Sequence, residues 1–195
     1  MGDADKLMSG DAWRDFCARL LAAGENILGD DFPQDERGRA EGYRALTRLL
    51  VYATQQEMEC GDLEHPLFVV HQDPYNQWGG PNPDNVYLRA NIDPAGTYRV
   101  WAPDASAMRQ AIFSLHEGDM QLEEYGVYGE GSLREMKRAS DGSLEIILSP
   151  DEHEGNWMPM HPKARIFTIR VYQVRRFRCH GHAAPKCAHR CRSWP

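Results

Sequence analysis

The chain has no apolar run of about eighteen residues, the length that marks a membrane-spanning helix. Its longest candidate, Leu46 to Ala53 (LTRLLVYA), is short and carries Arg48. The opening residues, MGDADKLMSGD, lack a basic stretch followed by an apolar one, so no secretory signal is expected and a cytoplasmic protein is the default. Cysteine is scarce before residue 174: only Cys17 and Cys60 occur there, each alone in helical sequence, which excludes a disulfide framework. Acids are missing from the last 22 residues, Val174 to Pro195, which hold six of the 22 Lys and Arg. The other sixteen bases face 29 acids, so residues 1–173 stand at −13 and the tail at +6, within a formal net charge of −7. A body that acidic repels phosphate backbones and anionic lipid, so neither nucleic acid nor membrane is an expected partner.

Several chemical signatures are also lacking. There is no G-x-S-x-G elbow, no G-x-x-x-x-G-K or G-x-G-x-x-G phosphate loop and no H-E-x-x-H. His65, His71, His116, His153 and His161 are dispersed, and Asp73, Asp84 and Asp93 match no calcium loop, so no metal site and no cofactor is expected in the body. The acids of QLEEYGVYGEG (Gln121 to Gly131) are too common a feature of this chain to mark a glycosidase pair. In the tail, Cys179, His180, His182, Cys187, His189 and Cys191 are ligands zinc accepts, but their spacing matches no finger, ribbon or knuckle. The tail, residues 174–195, is expected to be disordered; its composition is also what an out-of-frame reading of a GC-rich gene encodes.

What is present reads as helices followed by strands. Asp11 is a candidate N-cap, with Trp13, Phe16, Cys17, Leu20 and Leu21 at helical spacing behind it. After Phe32-Pro33, a second helix is predicted from about Asp35 to about Glu59, with Tyr43, Leu46, Leu49, Leu50 and Ala53 as its apolar stripe. Core packing is the expected role of both stripes. From Pro66 onward, short β-branched and aromatic runs alternate with turn clusters. The runs are LFVVHQ, NVYLRANI, TYRVWA, AIFSL, SLREMKR, SLEIILS and RIFTIRVY; the turns are DPAG, EGD, SDGS and SPDEHEGN. Seven or eight strands with short links predict an antiparallel β-sandwich or jelly roll, mainly β with N-terminal helices; an incomplete C-terminal end is allowed for. The organisation read from this is a helical segment over 1–62, a β-domain over 63–173 and the tail.

Alternation within strands separates two faces. In Asn85 to Ile92 the set Val86, Leu88, Ala90, Ile92 is apolar, and the set Asn85, Tyr87, Arg89, Asn91 is polar with one aromatic. The densest polar patch runs from His71 to Pro94 and holds three Asp, four Asn, one Trp and two Tyr around Gly79-Gly80. Its Asn and Asp side chains suit Asx-turns at a strand entrance, or a ligand site in which Trp78 and Tyr87 offer flat surface and Asn82, Asp84 and Asn85 orient polar groups. A second segment, Gly155 to Tyr172, carries Asn156 and Trp157 at a turn and Arg170 on the polar side of a strand, where a guanidinium could clamp a carboxylate or sulfate or pair with a neighbouring Glu.

The stretches AEGYRALTRLL (Ala40 to Leu50), GGPNPDNVYLRANIDPAGTYRV (Gly79 to Val100) and DGSLEIILSPDEHEGNWMPMHPKARIFTIRVYQ (Asp141 to Gln173) together resemble the bacterial family catalogued as DUF1214, a domain of unknown function. The most specific pieces are NPDNVY leading into a D-P-x-G-x-Y-R turn, and G-N-W-M-P leading into an R-x-Y strand. The resemblance implies an all-β, jelly-roll-like domain, often preceded by helices, with no settled activity. Asn82, Asp84, Asn85, Tyr87, Asn156, Trp157 and Arg170 fall on its motifs, and after Gln173 the chain departs from it. The reading favoured is a small organic or carbohydrate-like ligand bound near the His71 to Asn91 loop and the Asn156-Trp157 turn. The alternatives are an enzyme at the same place, with His71 or Asp84 as general base and Arg170 as anion anchor, and a structural or interaction module. Oligomeric state is left open.

Overall fold

The computed structural model describes residues 2–70, 76–79, 82, 84–106, 108–173 and 192–193. They divide into two compact units, Met1–Val51 and Tyr52–Pro195. The first contains helices α1 (Asp3–Ser9) and α2 (Asp11–Glu25), a 3-10 turn (Asn26–Leu28) and most of α3 (Glu36–Thr54). Asp11 is not the N-cap of α2. Gly10 takes that place with φ +76°, a left-handed conformation that ends α1 and starts α2 in one residue. Asp35 caps α3 instead, accepting the Gly38 N–H at 2.9 Å. The apolar stripes predicted to be core are largely exposed. Trp13, Phe16 and Leu21 in α2 and Tyr43 and Leu49 in α3 face outward, and α2 buries no residue. Three short helices within about fifty residues have too little surface to enclose them on all sides. The core of this unit gathers at Ile27, where Phe32 and Ile27 approach so closely that a Cβ on Gly42 would meet the Phe32 ring at 2.7 Å.

In the second unit α3 runs on as a π-helical turn, Gln55–Glu59. The strands follow: β1 (Val69–Val70), β2 (Asn85–Asn91), β3 (Tyr98–Ala102), β4 (Met108–His116), β5 (Val127–Ser132), β6 (Leu144–Ser149), β7 (Trp157–Pro159), β8 (Ile166–Gln173) and β9 (Arg192–Ser193). One sheet has the order β1-β2-β8-β4-β5 and the other β7-β6-β3-β9. All described pairings are antiparallel except β6 with β7, which is parallel. The fold is therefore mainly β with N-terminal helices. SLREMKR is not a strand: β5 ends at Ser132 and the chain turns there, and β5 is drawn mostly from the acidic run Gln121 to Gly131. Within the tail, the backbone of Arg192–Ser193 adds to the edge of β3; the six Cys and His residues lie outside the described residues.

The apolar faces of both sheets contribute to one cluster. Tyr98, Val100, Ile146 and Leu148 come from one sheet, and Phe113, Leu115, Phe167 and Ile169 from the other. The Phe113 and Phe167 rings lie parallel with centroids 6.4 Å apart. The D-P-x-G-x-Y motif belongs to this scaffold. Asp93 closes its own turn by accepting the Ala95 N–H, and the buried Tyr98 hydroxyl accepts the Asp93 N–H at 2.8 Å while donating to the Leu63 carbonyl at 2.8 Å. Gly96 is required because a Cβ there would meet the Tyr98 ring at 2.8 Å.

Candidate functional site

Since every second residue of a strand shares a face, the core residues of the five-stranded sheet leave the opposite face to polar side chains. Register aligns them in rows. Arg89 lies opposite Thr168, Thr168 opposite Ser114 and Ser114 opposite Glu130; in the next row Tyr87 lies opposite Arg170. This face has a closed end and an open end.

At the closed end Arg89, only 4% exposed, grips Asp119 with both terminal nitrogens, Nη2 to Oδ2 at 2.9 Å. Burial opposes the guanidinium charge most strongly, but the hydrogen bond to Asp119 together with the charges of Tyr52, Asp119 and Glu57 outweighs it, so the Arg89 pKa is raised. Tyr52 packs against this pair, and burial pushes its phenol up to about 12. The π-turn brings Gln56 down onto the same face, where its side-chain amide donates to Asn91 Oδ1 at 2.7 Å and its backbone carbonyl accepts from Asn91 Nδ2 at 3.2 Å. Tyr52, Cys60 and Val69, with Trp78 against them, seal this end with apolar surface. Single π-turns within helices recur where a helix must present a functional side chain out of register, and Gln56 is such a side chain here.

At the open end His116 Nε2 meets Thr168 Oγ1 at 3.0 Å. Burial, then the Arg170 charge, holds the His116 pKa below the usual imidazole range. Arg170 Nη2 approaches Glu130 Oε1 at 3.5 Å, with a third of the Arg170 side chain and more than half of Glu130 exposed. Ser114 donates to the same Glu130 oxygen at 3.3 Å. The ion pair is long, one-pronged and wet, and such pairs contribute little. Arg170 can therefore exchange Glu130 for a better anion at low cost.

The residues singled out from sequence divide between places. His71 lies outside the described residues. Trp78 is half-buried against Tyr52, ring centroids 6.4 Å apart. Asn82 accepts the Asp84 N–H at 3.0 Å, an Asx-turn at the entrance of β2, and Asp84 is exposed. Both polar atoms of the Asn85 side chain are buried without a hydrogen-bond partner. Tyr87 and Arg170 do come together, as direct cross-strand partners on the polar face. Asn156 and Trp157 belong to the other sheet. Asn156 Oδ1 accepts the Lys137 N–H at 2.7 Å, and its Nδ2 donates to the Lys137 and Glu145 carbonyls at 2.7 and 2.8 Å. Trp157 Nε1 donates to the Ser149 carbonyl at 3.0 Å. These two side chains hold turns together. Sequence reasoning did not mark Asp119, His116, Glu130 or Tyr52 as site residues; Arg89, like Tyr87 and Arg170, was signalled by its place on the polar side of an alternating strand. Among the described residues no group of three His, Cys, Asp or Glu is placed to hold a metal ion, and no helix is long and apolar enough to cross a membrane.

No protein-family model and no curated protein matches the chain. Among solved structures it is similar to an uncharacterised protein from Burkholderia cenocepacia, with 31% sequence identity and a TM-score of 0.85 over 98% of this chain and 52% of that one. The chain thus spans about half the length of that protein. The VPA0106 protein from Vibrio parahaemolyticus aligns over 49% of this chain and 28% of its own, at 19% identity and a TM-score of 0.38, a likeness too low to argue from.

Proposed function

We propose that the chain is a DUF1214-like cytoplasmic protein, its two sheets packed as a sandwich of jelly-roll type, that binds a small organic or carbohydrate-like molecule bearing an anionic group. The ligand sits on the open end of the polar face, with its anion on Arg170 and its body against Tyr87. The observation that supports this reading is Arg170 itself. It is a guanidinium on a rigid central strand, beside an aromatic ring, and among the described residues its ion pair is a long and exposed contact to Glu130. Arg makes its best pairs two-pronged, and this geometry leaves that capacity unused. The closed end then serves as the rigid floor of the site.

Titration calorimetry of the full chain with a panel of small carboxylates and phosphates tests the reading. Binding lost in Arg170→Gln and strengthened in Glu130→Gln is the expected result. A ligand that binds equally to Arg170→Gln overturns it. An enzymatic version of the same reading draws on His116, whose imidazole is kept neutral next to Arg170 and is therefore suited to accept a proton. Turnover of a bound ligand, abolished in His116→Gln while its affinity persists, would distinguish enzyme from binder.

A further inference from the structure

The outer face of the four-stranded sheet carries a separate feature. A cleft of about 340 Å³, at the small end of the range for ligand pockets, lies over β3 and β6. Its floor holds Arg99, Trp101 and Glu145. Arg99 Nε donates to Glu145 Oε2 at 2.5 Å, and its guanidinium carbon lies 5.7 Å from the Trp101 ring centroid. Trp101 is nonetheless 39% exposed, an unusual position for the largest apolar side chain on a folded sheet. The wall brings Lys137, Arg138 and Glu154, none of which forms an ion pair among the described residues. Their backbone is not loose: the three hydrogen bonds of Asn156 tie Lys137 to β6.

We infer that this cleft binds an acidic sugar, a hexuronate or short uronate oligosaccharide, with the sugar ring against Trp101 and its carboxylate on Lys137 and Arg138. Three properties point to that class. An exposed indole offers a flat apolar platform that suits the C–H face of a pyranose. With Arg99 paired to Glu145, Lys137 and Arg138 outnumber Glu154, so the lining carries a net positive charge on a body of net charge −13, a local reversal of sign that favours an anion at this spot. Glu145 and Ser143 are at hand for hydroxyls, and Ala139 and Ile147 add small apolar surface beside the indole. Asn156, which the polar-face site does not use, acquires a role: it positions the cationic wall.

Titration calorimetry of the full chain with trigalacturonate, and with neutral galactotriose as control, tests the inference. The uronate is expected to bind about tenfold or more tighter than the neutral trimer, the scale of a charge-assisted contact. Trp101→Ala abolishes binding of both, Trp101→Phe restores part of it, and Lys137→Gln/Arg138→Gln reduces the uronate to the level of the neutral sugar. All of these titrations are run in the Arg170→Gln background, so that a carboxylate held on the polar face does not enter the values. Unfolding curves confirm that the variants at Trp101, Lys137 and Arg138, all exposed positions, and the Arg170→Gln background remain folded. Equal affinity for acidic and neutral trimers, no binding of either, or binding indifferent to Trp101→Ala overturns the inference.

Discussion

Arg89 and Asp119 form a two-pronged ion pair on the face of the five-stranded sheet that turns away from the hydrophobic core. The guanidinium comes from the middle of β2 and the carboxylate from the loop that follows β4, so the pair ties a surface loop to the sheet. Its side chains are 5% and 25% exposed, and a charge withdrawn from water to that degree depends on its partner.

Asp119→Ala is therefore expected to destabilise the protein by about 3 kcal/mol, because it leaves a buried guanidinium without its counter-charge. Replacing both residues, Arg89→Met with Asp119→Leu, is expected to restore most of that loss. Urea unfolding of the single and double variants measures both effects; a single variant as stable as the parent would show that water already reaches Arg89.

Tyr52 predicts a loss of stability in alkali. Its phenol titrates at about 12 in the folded chain against 10.0 when unperturbed. The folded state thus holds the proton where the unfolded state has released it. Stability is full below pH 10 and falls as pH rises toward 12, at about 1.4 kcal/mol per pH unit. Tyr52→Phe should flatten that segment of the stability profile.

His116 predicts the opposite slope at the other end. Burial holds its folded pKa below the unperturbed 6.5, so the unfolded chain takes up the proton first. Stability falls as pH is lowered below 6.5, and His116→Gln, which retains a partner for Thr168, should lessen that fall. Thermal unfolding between pH 7 and 5 reads the difference; an unchanged profile would place His116 in contact with water.

Asn156→Ala removes three hydrogen bonds at once and is expected to cost about 2 kcal/mol, with Lys137 left as an unpaired backbone N–H. Hydrogen exchange should quicken at Lys137 before it does in β6. Asn156→Asp keeps the acceptor for Lys137 and loses both donated bonds, so protection there should be intermediate.

Strand periodicity was legible because it is local. The alternation in Asn85–Asn91 separates Leu88 and Ala90, which do reach the core, from Tyr87, Arg89 and Asn91, which do not. The turns at Asn82 and Asp93 were legible for the same reason, since each side chain bonds to a backbone N–H two residues on, whereas the cap of α2 was misplaced by one residue, onto Asp11. The apolar stripes of α2 and α3 misled because periodicity shows that a face is apolar without showing what covers it. SLREMKR misled because Ser132 and Leu133 look like a strand start, while the glycines at 129 and 131 hide β5 from a reading based on β-branched residues.

The sequence by itself determined the order of helices before strands, the polar and apolar faces of β2 and β8, and the division of charge between an acidic body and a basic tail. Only the tertiary structure decided which polar residues meet. Asp119 lies 30 residues from Arg89, His116 lies 52 from Thr168, and Asn156 lies 19 from Lys137. Such pairings depend on strand order and register, which follow from how whole faces pack, and no local pattern records them.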